Sequence, residues 1–372
     1  MQNAIKYKAL VLLTAVVAFS GCRKIFDLPE EKDYLSTRAD YTTKEWRPTL
    51  GRLNTTNGFF NPDGSNFPMT FEIRNARFGD GRDASDMLTA KPTIVWTAEY
   101  NGLETSLAQI EAKRKVENHP VLETRGNGDF IWWPTATRTE IRPADSVVLP
   151  QNIRYIDVKI TNSGGSRIIK DLAIIPQIDA PYWPDNDYDR ITGAPRREAP
   201  ASRTRIYNTA GVSGITGAST NQPIDNSNAT RGIVRLYFRK FTTDPNGNRL
   251  RIKVLDRDSV PINPGNFSET VWNNMIHGFN DAGTALGYTM TPTHVDYRVA
   301  YPIPLAPIPT RFTAGGLQGN GNDARVELVF SRLAFGGVRQ TGRISTNFQI
   351  YEKGDWEIVF HFKFVNPRFT ND

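Results

Sequence analysis

Apolar and polar side chains alternate along much of the chain, most cleanly in its second half. Val234, Leu236 and Phe238 interleave with Arg235, Tyr237 and Arg239. After the turn sequence DPNGN at 244–248, Leu250, Ile252 and Val254 interleave with Arg251 and Lys253. A period of two marks a half-buried strand, so this stretch reads as a strand, a turn and a returning strand. In DWEIVFHFKF, 355–364, Trp356, Ile358, Phe360, Phe362 and Phe364 are expected inward, with Glu357, His361 and Lys363 outward. DYRVAYPIPL and RVELVFSRLAF are further strands.

The first half repeats the pattern less regularly. MTFEIRNARF (69–78), PTIVWTAEY (92–100) and DFIWWPTATRTEI read as strands, and the adjacent Trp132 and Trp133 must face opposite ways. In RYIDVKIT, Ile156, Val158 and Ile160 point one way and Asp157 and Lys159 the other. NSGG at 162–165 then supplies a tight turn, and RIIKDLAIIP returns the chain as a hairpin.

Two segments carry helical spacing. Leu103, Leu107 and Ile110 predict a short helix within 103–118, ended by Pro120. Asn266 with Glu269 three residues on forms a capping-box pattern. It precedes a stripe of Val271, Trp272, Met275, Ile276 and Phe279, with Gly283 as the stop.

The N-terminus has a different texture. Lys6 and Lys8 precede the apolar run Ala9–Phe19, then the small residues Ser20 and Gly21, then Cys22, the only cysteine. This is the layout of an export signal too short to span a membrane. Cys22 has no partner for an internal disulfide. The stretch resembles a bacterial lipoprotein signal, in which that thiol receives the lipid. The alternative is a cleaved secretory signal with an incidental cysteine.

Together these patterns predict an all-β chain with one or two short helices: two β-sandwich domains, Ig-like or jelly-roll-like, after a lipoprotein signal and tether. The expected boundaries are 1–21 for the signal, 22–60 for the lipidated tether and lead-in, and 61–180 for the first sandwich. A linker rich in turn formers and poor in aliphatic residues follows at 181–231, and the second sandwich covers 232–372. No repeat recurs at solenoid or propeller period.

Composition adds exclusions. The formal net charge is +6, two of those charges lie in the signal, and both signs are interspersed. No basic tract of the kind that binds nucleic acid is present. The chain has no G-x-S-x-G elbow and no H-E-x-x-H. Its four histidines, His119, His277, His294 and His361, lack metal-ligand spacing. GGLQGNGND at 315–323 lacks the Lys-Ser/Thr of a phosphate loop and reads as a turn. A glycosidase needs only two carboxylates paired in space, which abundant acidic residues could supply.

The strongest binding signal is DAPYWPDNDYDR, which sets Tyr182, Trp183 and Tyr188 beside Asp185, Asp187 and Asp189. Aromatic faces stack on sugar C–H faces, and neighbouring carboxylates bind hydroxyls. On this reading Tyr182 and Trp183 are an exposed recognition surface; the structural alternative is that Trp183 pins the loop to the first domain. The alternate aspartates also resemble the start of a calcium loop, without its later glycine and glutamate.

GCRKIFDLPEEKDYLS, TFEIRNARFGDGR, VWTAEYNGLETSLAQIEAKRKVENHP, NSGGSRIIKDLAIIP, WNNMIHGFN and YEKGDWEIVFHFKF resemble a Bacteroidota lipoprotein family catalogued only as a domain of unknown function. The resemblance covers nearly the whole mature chain. It implies an outer-membrane lipoprotein near Sus-like glycan-uptake systems with TonB-dependent transporters, and it carries no established site residues. Asp145-Ser146-Val147 and Asp258-Ser259-Val260 resemble the motif that this phylum O-glycosylates, which makes Ser146 and Ser259 candidate modification sites. Arg23 and Lys24 precede the acidic Asp27, Glu30, Glu31 and Asp33, leaving both the cell-surface and the periplasmic face open. The leading expectation is a non-catalytic lipoprotein that binds glycan or another nutrient, or assists its uptake. Behind it stand a structural or assembly partner of an outer-membrane complex and, more distantly, a glycan hydrolase.

Overall fold

A computed structural model describes residues 33–136, 140–178, 180–199, 201–228, 230–279 and 287–372. Cys22, the signal and Gly283 lie outside the described residues. The first half contributes β1 (Asp40–Tyr41), β2 (Glu45–Trp46), β3 (Asn54–Thr55), β4 (Phe60–Asn61), β5 (Thr70–Phe78), β6 (Ala90–Trp96), α1 (Leu107–Glu111), β7 (Arg114–Pro120), β8 (Leu122–Thr124), β9 (Phe130–Trp132), β10 (Arg154–Asn162) and β11 (Gly165–Ile174). The second contributes β12 (Tyr182–Trp183), β13 (Asn208–Thr209), β14 (Gly211–Ser213), β15 (Val234–Lys240), β16 (Arg249–Leu255), β17 (Tyr288–Met290), β18 (Val295–Arg298), β19 (Ala324–Ala334), β20 (Val338–Ile350) and β21 (Trp356–Phe362). The fold is all-β and sandwich-like, as expected.

In the first half, β10 and β11 form the expected hairpin, closed at Asn162↔Gly165. Gly164 is needed there because a Cβ would stand 2.8 Å from the Asp33 carbonyl oxygen, where the incoming chain crosses the turn. The sheet runs β2-β11-β10-β5. Ile156, Val158 and Ile160 are buried with Phe130 and Trp132 beneath a three-stranded sheet, β3-β9-β8. Asp157, expected outward, is buried beside a bulge between Ile156 and Val158; its carboxylate accepts hydrogen bonds from Asn75 Nδ2 (2.9 Å) and the Asp171 N–H (3.1 Å) and pairs with Arg77 at 3.2 Å.

The helix expected within 103–118 shrinks to α1, capped by the Ser106 hydroxyl. Its apolar spacing covers one turn, of which only Ile110 is fully buried, whereas Leu103 is exposed. Beyond it the chain becomes β7 and satisfies its backbone against β6 in a two-stranded ribbon.

In the second half a six-stranded sheet, β13-β15-β21-β16-β18-β17, faces β20, which carries β19 on one edge and both β12 and β14 on the other. The strands expected to return on each other, β15 and β16, do not pair. β21 lies between them, antiparallel to β15 (Leu236↔Phe360) and parallel to β16 (Ile252↔Ile358). It is buried at every position, which is the requirement for a central strand. Glu357 and His361, expected outward on a wetted face, are therefore buried, and Glu357 is roofed by Arg239 and Lys253. Phe364, expected inward, lies past the strand end and is exposed beside Arg231 and Arg235.

The helix expected at 271–279 is a single 3-10 turn, Trp272–Asn274. The Tyr297 hydroxyl donates to the Trp272 carbonyl at 2.8 Å and takes the acceptor that an α-helix would give to Ile276. The local cap is Asn263, which accepts from the Gly265 N–H, rather than Asn266.

The segment expected as a linker is laid onto the second sandwich. β12 and β14 extend β20, β13 extends β15, and the chain crosses between sheets at the buried Ala210. A separate apolar cluster, Tyr100, Ile110, Phe279, Ala300 and Leu305, joins the two halves.

Candidate functional site

Period two decides the fate of the aromatic pair in β12. Tyr182 sits opposite Ile350 and faces inward, stacked on Phe238 at 4.9 Å and edge-on to Trp356. Burial pushes its hydroxyl pKa well up. Tyr182 is thus a packing residue, contrary to its expected place on a recognition surface. Trp183 sits opposite Gln349 and faces outward, 37% exposed.

The acidic residues that follow are occupied internally. Asp185 is buried and accepts from Arg190 at 3.2 Å. Asp187 accepts from Asn208 Nδ2 at 2.7 Å, and burial raises its pKa above the usual carboxylate range. Asp189 accepts from the Thr192 N–H (2.8 Å), its hydroxyl and the Ile191 N–H, which hold its pKa low. Tyr188 pairs its backbone with Pro195. The three carboxylates turn to separate partners, so the calcium-loop reading fails. Among the described residues no group of three or more His, Cys, Asp or Glu is placed to hold a metal.

Trp183 shares its sheet face with a polar trough. Ile344, Phe348 and Ile350 of β20 point into the core, so Arg343, Ser345, Asn347 and Gln349 point out. Gly211 and Ser213 of β14 pair with Ser345 and Arg343, and Glu327 of β19 pairs with Ser345 from the other side. The small residues Gly211, Ser213 and Ser345 form the floor, and the long Arg325, Glu327 and Arg343 stand around it, bordering an open depression of about 510 Å³. A Cβ on Gly211 would come within 3.2 Å of the Ser345 hydroxyl, so glycine keeps the floor open. Arg325 and Glu327 pair at 2.7 Å. Among the described residues the Arg343 guanidinium has no hydrogen-bond or ion-pair partner. Gln349 lies four residue steps along the strand from Ser345, which puts Trp183 roughly 13 Å from the centre of the trough. Sequence reasoning missed the trough because β14 and β19 are more than a hundred residues apart and meet only across β20.

A second, smaller cavity lies where the halves meet, between Tyr100, His277, Phe312 and Pro304, with about 20 Å³ of space, room for one water. The other histidines are also engaged. His119 lies between Glu117 and Glu123, and His294 stands 3.6 Å from Asp296. His361 Nε2 is 3.3 Å from the Ser259 hydroxyl. The His361 ring bonds the Asp256 backbone, while Asp256 Oδ1 accepts from the Asp258 and Val260 N–H groups. Ser146 and Ser259 both sit exposed on tight turns.

Residues 60–371 match the model of the family described as Domain of unknown function (DUF5007). The chain belongs to that family. No curated protein and no solved structure matches it.

Proposed function

We propose that the chain is a non-catalytic outer-membrane lipoprotein, anchored through Cys22, that binds a glycan or another nutrient, or assists its uptake with a TonB-dependent transporter. The observation that supports this reading is the shared outward face of Trp183 and the trough. An exposed indole offers a flat apolar surface to a sugar ring. Ser213, Ser345, Arg325, Glu327 and Arg343 offer the converging donors and acceptors that hydroxyls require. Affinity electrophoresis through gels containing a panel of glycans tests it. Retarded migration in at least one glycan is the expected result. Uniform migration in all of them, with a transporter co-purifying from native membranes, would replace it by the assembly-partner reading. Release of reducing sugar from the panel would replace it by a hydrolase.

A further inference from the structure

Among the described residues the β6–β7 ribbon pairs with no third strand on either side. Its register is fixed by Ile94↔Val116 and Trp96↔Arg114. The Thr97 N–H donates to the Lys113 carbonyl at 2.8 Å, so 97 and 113 form a hydrogen-bonded pair. In an antiparallel ladder such pairs alternate with pairs whose backbone groups turn away from the partner. The backbone groups of Arg114, Val116 and Asn118 therefore point off the outer edge of β7, and those of Pro92, Ile94 and Trp96 point off the outer edge of β6. Among the described residues none of these groups meets another element.

Two other strand edges, those of β19 and β5, receive hydrogen bonds from neighbouring segments. On β19 the Glu269 N–H donates to the Val329 carbonyl (3.0 Å), and the Asp372 N–H donates to the Leu333 carbonyl (2.9 Å). On β5 the Ala84 N–H donates to the Ala76 carbonyl (3.1 Å). The β6 edge is blunted by Pro92, which has no N–H to offer. The β7 edge carries no proline until Pro120, at its end.

That free edge is complementary to itself. A two-fold axis through Val116, running an identical strand antiparallel beside β7, sets Val116 against its twin. The same axis sets Lys115 opposite Glu117 and Arg114 opposite Asn118, each in both directions. The outward-pointing groups of 114, 116 and 118 fall in the hydrogen-bonded pairs of the new ladder, each exchanging two backbone bonds. Val116 is 68% exposed in the single chain and would be covered by its counterpart. Lys115 and Glu117 already lie on one face, paired at 2.5 Å within the strand. We infer that β7 pairs with β7 of a second copy of this chain, joining two ribbons into one four-stranded sheet through an isologous contact.

Disulfide trapping in the full-length chain, expressed in cells, tests this. Residue 116 of one copy lies within disulfide reach of residue 116 of the other. V116C should therefore give a disulfide-linked dimer on a non-reducing gel. I94C is the control: Ile94 is similarly exposed on the same ribbon face, but lies three strand spacings, roughly 14 Å, from its counterpart. It should not cross-link. Adding K115E to V116C places Glu opposite Glu at two points and should lower the dimer fraction roughly tenfold. Adding E117K as well restores opposite charges and should restore the dimer. Absence of a V116C dimer, equal cross-linking of I94C, indifference to K115E, or failure of the double exchange to rescue would each overturn the pairing.

Discussion

The Tyr100 hydroxyl donates to His277 Nδ1 at 2.7 Å, while His277 Nε2–H donates to the Glu104 carbonyl at 2.7 Å. Tyr100 and Glu104 belong to the first half of the chain and His277 to the second, so one imidazole ties the two together. The carbonyl can only accept, which fixes the proton on Nε2 and leaves Nδ1 to accept from tyrosine. Phe312 stacks on the ring at 4.4 Å and completes its enclosure.

This arrangement requires a neutral imidazole, and burial pushes the His277 pKa below its ordinary 6.5. The unfolded chain takes up a proton near pH 6.5 that the folded chain takes up only at lower pH. Stability is therefore full above 6.5 and declines as pH falls from there toward the depressed folded value. His294 and His361 are lowered by burial and act in the same direction. His119 is raised by Glu117 and Glu123, so its contribution is full below 6.5 and fades as pH rises through its elevated value. Thermal melts of wild type and H277Q from about pH 5 to 7.5 check the point. The loss of Tm on acidification should be shallower in H277Q. Parallel slopes would show that His277 is not the titrating group.

Asp129 is a second buried anchor, 2% exposed. It accepts from the Phe59 N–H (2.9 Å), the Gly58 N–H (3.3 Å), the Thr56 hydroxyl (3.0 Å) and Asn127 Nδ2 (2.7 Å). Burial alone would raise its pKa, but these bonds outweigh burial and hold it below 3.8. Replacing Asp129 with alanine strands several donors and should cost about 3 kcal/mol in denaturant unfolding. A loss under about 1 kcal/mol would mean that water takes over the donors.

Cys22→Ala should leave the protein unlipidated and largely in the soluble fraction after lysis. Full recovery of the variant with membranes, with no acyl chains on the wild-type N-terminus, would contradict the anchor.

Local pattern carried the reading where neighbours in sequence are neighbours in space. The β10–β11 hairpin was legible because Ile156, Val158 and Ile160 alternate up to a turn of Asn, Ser and Gly. The strand at 355–364 was legible for the same reason. Its place between β15 and β16 was not, because nothing local in DPNGN says that a strand from a hundred residues later will separate the two arms. Leu103, Leu107 and Ile110 satisfy helical spacing, yet a stripe of one turn cannot outweigh the ladder that β7 forms with β6. At the candidate site, Trp183 was found by composition, but a two-residue strand shows no period, so Tyr182 could not be told from it. The trough partners Arg325, Arg343 and Gly211 come together only through β20.

Calorimetric titration of a glycan that retards the wild type, against wild type and Trp183→Ala, tests whether Trp183 carries the binding face. Trp183 lies on the solvent face, so its truncation should cost well under the ~3–5 kcal/mol of an emptied core tryptophan and leave Tm near wild type. Affinity should fall at least tenfold in that stably folded variant, equivalent to about 1.4 kcal/mol. Unchanged affinity, or a large fall in Tm with binding intact, would place the ligand elsewhere and return Trp183 to a packing role.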